Sequence, residues 1–208
     1  MGRECCRAVV IALLFGSAAG GGPVTLVAQN TRTIADFDGE RTESESGLAI
    51  WPFTDEQFGG TSECRVALVH PGAAGSRGAL RISFHVTSDF PAPFAGAWAM
   101  VGAEGQATDL SAYQGIRFRA RSRDRAAFSA GIVRFPGQLK RYAAPFEVGP
   151  DWTIVELPFR TFRFVPAPGG AADESPLDAK DITSIGISVA APHRGDFELD
   201  LDRLEVYR

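Results

Sequence analysis

The chain has 208 residues, 45% of them hydrophobic and 22% charged, with 23 glycines, 13 prolines and a formal net charge of −4. That balance suits one turn-rich globular domain with its own core, and it excludes a coiled coil and wholesale disorder. A mild acidic excess without a clustered basic stretch also excludes a nucleic-acid surface.

In chain order, Arg3 and Arg7 precede an uncharged run over 8–19, which Gly20, Gly21, Gly22 and Pro23 break before small residues lead to Ala28. This is the pattern of an export leader, and its apolar run is too short to span a bilayer. The expectation is a signal peptide over 1–28, a domain over 29–208, no transmembrane segment once the leader is removed, and a periplasmic or secreted product. Cys5 and Cys6 precede the apolar run and leave with it. Cys64 then has no partner for an internal disulfide and reads as a structural thiol inside an alternating strand.

Short apolar-polar alternations separated by Gly, Pro, Asp and Ser turns predict strands over 33–38, 48–52, 62–69, 79–86, 96–101, 115–121, 128–135, 142–147, 153–158, 184–190 and 197–207. Two patterns are the clearest. Leu80, Ile82, Phe84 and Val86 alternate with Arg81, Ser83 and His85, while Ile116, Phe118 and Ala120 alternate with Arg117, Arg119 and Arg121. Helical periodicity is nearly absent, with single turns expected at 109–113 and 177–182, Asp109 serving as a cap. In the last strand the apolar phase of Phe197, Leu199 and Leu201 shifts to Leu204 and Val206, which predicts a β-bulge near Asp202 and Arg203. The stretch 166–176 fits no strand and reads as a long loop. The fold class that follows is all-β, a two-sheet antiparallel sandwich.

Several elements run in a familiar order: Asp36-Phe37-Asp38, the stretch from Asp55 through Gly59 and Gly60 to Ser62, then Phe94-Ala95-Gly96-Ala97 and 109–115. They continue with Trp152, Val155, Leu157, Pro158 and Phe159, with Leu177, Asp178, Ile182, Ile185 and Gly186, and end on Phe197, Leu199, Leu201 and Asp202. The chain thereby resembles the complex I intermediate-associated protein 30 family over 33–208. One departure is Arg163-Phe164-Val165-Pro166, which stands where that family tends to carry an Arg-Gly element. The resemblance implies a jelly-roll sandwich of the galactose-binding-like type, similar to carbohydrate-binding modules of family 11, and a non-catalytic role with carbohydrate or a protein as partner.

His70, His85 and His193 are too far apart in sequence for metal-ligand spacing. No nucleophile elbow, paired acidic motif or activated cysteine accompanies the 25 acidic residues, so the chain does not read as an enzyme. Sugar recognition asks for a flat aromatic and fixed polar groups on an exposed sheet face. Arg117, Arg119 and Arg121 point away from the core, and Trp98, Arg134 and Tyr142 are expected on adjoining strands of that face, the alternative being a solvated cationic face with the aromatics in the core. Trp51 is a further edge candidate, and Trp152 reads as a plug at the sandwich end. No cofactor is expected apart from a structural calcium where first and last strands meet, with Asp36, Asp38, Asp200 and Asp202 as ligands, against the alternative of exposed carboxylates and caps.

Overall fold

A computed structural model describes residues 31–87, 89–135, 139–166, 175–190 and 192–208. The leader expected over 1–28 and most of the loop expected over 166–176 lie outside the described residues. Twelve strands form two antiparallel sheets. They are β1 (Thr31–Ala35), β2 (Trp51–Thr54), β3 (Glu63–Val69), β4 (Ala79–Val86), β5 (Phe94–Met100), β6 (Gly115–Ser122), β7 (Ala126–Arg134), β8 (Lys140–Val148), β9 (Thr153–Pro158), β10 (Arg163–Val165), β11 (Ile182–Ala190) and β12 (Gly195–Tyr207). One sheet has the order β3-β4-β12-β6-β9, with β1 also paired to β12, and the other the order β10-β8-β7-β11-β5-β2.

The inner faces follow from alternation. Leu80, Ile82, Phe84, Ile116, Phe118, Ala120, Leu199 and Leu201 of the first sheet are buried against Ala95, Ala97, Ala99, Phe128, Ala130, Ile132, Ile185 and Ile187 of the second. Phe118 and Phe146 meet edge to face across the core with centroids 5.1 Å apart, a favoured geometry for aromatic pairs. Four 3-10 turns are the only helical pieces among the described residues. The segment 109–113 is a plain turn rather than a helical one, but Asp109 does cap it, accepting the Ser111 N–H at 2.8 Å.

β12 is the longest strand, at 13 residues. Its register on β6 slips between Asp202 and Glu205, and Arg203 takes a positive φ of 50°. That is the bulge the apolar phase shift predicts. The bulge lets one strand pair with β4 through its first half and with β1 through its second, both on the edge away from β6.

The DEQFGG stretch forms the 3-10 turn Asp55–Phe58 at the end of β2. The Thr54 hydroxyl caps it by accepting the Glu56 N–H, and Gly59 ends it at φ 91°. Asp55 is fully buried and its carboxylate accepts the Ser62 N–H at 3.0 Å, the Ser62 hydroxyl at 2.7 Å and the Phe94 N–H at 3.1 Å. A Cβ on Gly60 would overlap that carboxylate. One acid therefore ties the turn to the starts of β3 and β5, which holds Glu56, Gln57 and Phe58 at the rim of the second sheet.

Candidate functional site

Cross-strand register brings three rows of side chains onto the outer face of the second sheet, each running across the strands. The middle row is Trp51, Trp98, Gly186, Gly131 and Ala143 on β2, β5, β11, β7 and β8. A row on one side is Phe53, Gly96, Ser188, Ser129 and Pro145, and on the other Met100, Ser184, Val133, Arg141 and Val165. The floor is thus made of glycine, serine and alanine, and the aromatics lie on it. A Cβ on either Gly186 or Gly131 would overlap the six-membered ring of Trp98, so the indole extends from β5 across β11 to β7. Phe53 covers Gly96 in the same way and stacks on Trp98, with centroids 5.0 Å apart and planes 25° apart.

Trp51, Trp98 and Phe53 together with the row from Met100 to Val165 line an open groove of about 1420 Å³, walled by Trp51, Phe53 and Phe58 at one end and by Leu139, Arg141 and Val165 at the other. Large apolar side chains stand in solvent around it, Phe58 at 55% and Leu139 at 63% exposure. Cys64 also borders the groove, and burial pushes its thiol up to about 12, so it stays protonated and inert there.

The structure places the sequence candidates differently from one another. Trp98 lies half-buried on the groove floor and Trp51 beside it. Tyr142 does not reach that face: it is 1% exposed, shares the inward phase of Ala144 and Phe146, and packs edge-on to Phe164. Arg134 ends β7 buried beneath the 178–181 turn, its guanidinium 3.3 Å from Asp178 and 3.6 Å from Asp181. Arg117 and Arg119 belong to the opposite sheet, so the expected single face of arginines and aromatics does not exist.

On that opposite sheet the arginine row of β6 faces an acidic row on β12, pairing Arg117 with Glu205, Arg119 with Asp202 and Arg121 with Asp200 in register. Arg117 reaches Glu205 at 2.7 Å. Asp200 sits between Arg81 at 2.7 Å and Arg121 at 3.0 Å. The guanidinium of Arg121 also lies 4.7 Å from the ring centre of Trp152, which is half-buried on this sheet rather than closing the sandwich end. A second concavity of about 620 Å³ opens here beside the β6–β7 turn, but its walls carry pairs such as Arg65 with Glu63 and His85 with Asp196 that satisfy one another.

The four aspartates proposed for calcium are not brought into one ligand set. Asp200 is held by two arginines, as above. Asp38 Oδ1 accepts from the Ser76 hydroxyl at 2.7 Å and from the Arg77 and Gly78 N–H groups at 2.6 and 3.1 Å, and these bonds, Ser76 foremost, lower its carboxyl. Asp36 accepts the Asp38 N–H at 3.1 Å. Asp202 is 1% exposed and accepts the Ala73 N–H at 2.8 Å through Oδ2, with Oδ1 unpartnered, and burial raises its carboxyl. Among the described residues no group of three or more His, Cys, Asp or Glu could hold a metal ion. Asp36, Asp38, Asp200 and Asp202 therefore do not form one shared ligand set for calcium among the described residues.

The Asp55–Ser62 stretch stands out in the sequence, but the role of Asp55 shows only once Ser62 and Phe94 are beside it. Sequence reasoning missed the glycine floor, although Gly131 and Gly186 inside strand patterns are themselves a signal of close approach by another group.

The model of the family described as Complex I intermediate-associated protein 30 matches residues 36–201. Among solved structures, the chain is similar to the family 11 carbohydrate-binding module of the cellulosomal cellulase Lic26A-Cel5E of Clostridium thermocellum. That match has 18% identity and a TM-score of 0.66, and covers 86% of this chain and 95% of the other. The Clostridium thermocellum family 11 module in complex with a β-1,3-1,4-mixed-linked tetrasaccharide matches at 19% identity and TM-score 0.62, covering 85% and 94%. The family 30 carbohydrate-binding module of the cellulase Cel9D-Cel44B from the same organism matches at 13% identity and TM-score 0.62, covering 85% and 96%. At such identities these likenesses show the fold alone, a galactose-binding-like jelly roll. No curated protein matches the chain.

Proposed function

The chain belongs to the complex I intermediate-associated protein 30 family, and from that premise we propose that it is a non-catalytic module that binds carbohydrate in the groove of its second sheet. The observation that carries this reading is the Trp98 ring laid across Gly186 and Gly131 on an open sheet face. A broad aromatic surface parallel to a floor of small residues suits the C–H face of a pyranose ring, while Ser184, Gln57 and Glu56 offer partners for hydroxyls. Likeness to carbohydrate-binding modules, one of them in complex with a mixed-linked tetrasaccharide, supports the same reading.

The test is affinity electrophoresis and calorimetry with mixed-linkage β-glucan, cellotetraose and a wider glycan array. Trp98→Ala is expected to weaken binding at least 10-fold while the thermal midpoint stays within a few degrees, stacking on one ring contributing roughly 1 kcal/mol or more. Equal binding by wild type and Trp98→Ala, or no glycan bound by the wild type, overturns the reading in favour of a protein-interaction role. Export to the periplasm or outside the cell forms part of the same proposal, supported by the leader pattern over 1–28. Amino-terminal sequencing of the envelope-fraction protein is expected to begin near residue 29.

A further inference from the structure

We propose that the groove selects an acidic polysaccharide, with Arg141 receiving the carboxylate of a uronic acid unit next to the sugar seated on Trp98. The inference deepens the carbohydrate reading above and rests on it.

Arg117 pairs with Glu205, Arg121 and Arg81 with Asp200, and Arg134 with Asp178, whereas Arg119, Arg163 and Arg203 have no acidic partner among the described residues. Of the described arginines, Arg141 is the one that lines the groove. It lies on the groove wall of β8 between Val133 of β7 and Val165 of β10, and its guanidinium has no hydrogen-bond or ion-pair partner among the described residues. Among the described residues this cation has apolar side chains on either side and no acid beside it, a setting that suits an anion supplied from outside.

Position narrows the anion to part of the sugar chain. The edge of the Trp98 ring reaches Gly131 on β7, and Arg141 stands on the adjacent strand, one row over. Neighbouring strands are about 5 Å apart, a step comparable to one sugar ring. A ligand crossing the strands with one ring on Trp98 therefore presents its next unit to Arg141. The planar guanidinium fork matches a carboxylate through two parallel N–H donors. The opposite end of the groove carries Glu56, and Glu63 already neutralised by Arg65 at 2.9 Å. This charge order orients the chain with its acidic unit toward β8.

Matched ligand pairs test the proposal: a β-1,4-glucan oligosaccharide against the same backbone oxidised at C6, and a methyl-esterified oligogalacturonate against its free acid. Calorimetry is run on wild type, Arg141→Gln, Arg141→Lys and Trp98→Ala at two salt concentrations. The wild type is expected to bind the acid of at least one pair about 10-fold or more tighter than its neutral partner. Arg141→Gln is expected to cut that preference to about twofold or less, and Arg141→Lys to restore only part of it, with thermal midpoints held. A wild type without acid preference, or a preference that survives Arg141→Gln, overturns the proposal. If neutral chains bind and Trp98→Ala abolishes it while acids gain nothing, only the role of Arg141 falls. If no member of either pair binds, the carbohydrate reading falls with it.

Discussion

Trp98 owes its place to what its neighbours lack. With hydrogen in place of Cβ at Gly186 and Gly131, the indole rests on backbone across two strands, and any larger residue there has to lift it. Gly186→Ala is expected to destabilise the domain by about 1–3 kcal/mol through overpacking and to red-shift its tryptophan emission. It should also weaken glycan binding in parallel with Trp98→Ala. An unchanged thermal midpoint and spectrum would show that the ring does not lie where the structure has it. Alternation in the sequence could not reveal this arrangement. It tells which residues of a strand share a face, but Gly131 and Gly186 join Trp98 only through the register of β5, β11 and β7. Tyr142 was misread for the same reason, since an aromatic among Ala143, Ala144 and Pro145 fits either phase until Phe146 and Val148 are seen to face inward.

At the scale of elements, β12 carries two features that were readable and one that was not. Its bulge was legible, because a β-strand that shifts the phase of its apolar residues must insert one. Its core face was legible for the same periodicity. Its acidic row was not, since nothing in sequence says that Asp200 and Glu205 will stand opposite Arg121 and Arg117. β10 was overlooked because three residues are too few to show a period.

Two carboxylates, Asp38 and Asp202, respond to pH in opposite senses. Asp38, lowered by its bonds from the 76–78 turn, adds stability that is present above the ordinary carboxylate range and lost as pH falls through its lowered value. Asp202, raised by burial, acts with the opposite sign: its charge costs stability at neutral pH, and protonation relieves the cost as pH falls. Asp38→Asn is therefore expected to lower the thermal midpoint at pH 7 and Asp202→Asn to hold or raise it, both differences shrinking near pH 3 or below. A midpoint that falls equally in the two variants at pH 7 would contradict this assignment.

Across the whole molecule, the fold was far more legible than the site. The bounds of β4 and β9 match the alternating segments read from sequence, and the two-layer architecture followed from strand number and the lack of helical period. The site depends on which sheet each strand joins, and that is set by pairings between segments distant in the chain. Order of assembly has a similar origin. β12 is the last strand in the chain and lies at the centre of its sheet, bonded to β4, β6 and β1. Deleting 204–208 removes every strand pairing of β1 as well as three of the seven register pairs with β6, and the truncated chain is expected to lose cooperative unfolding in calorimetry and to aggregate. A sharp two-state transition in that truncation would count against a single cooperative unit.

Because the keystone of the first layer is made last, a growing polypeptide can display β1, β4 and β6 but cannot join them. Hydrogen-bonding edges stay open until synthesis of the domain is complete. The second sheet needs no such wait, since all six of its strands precede β12, so the two layers differ in when their edges can close.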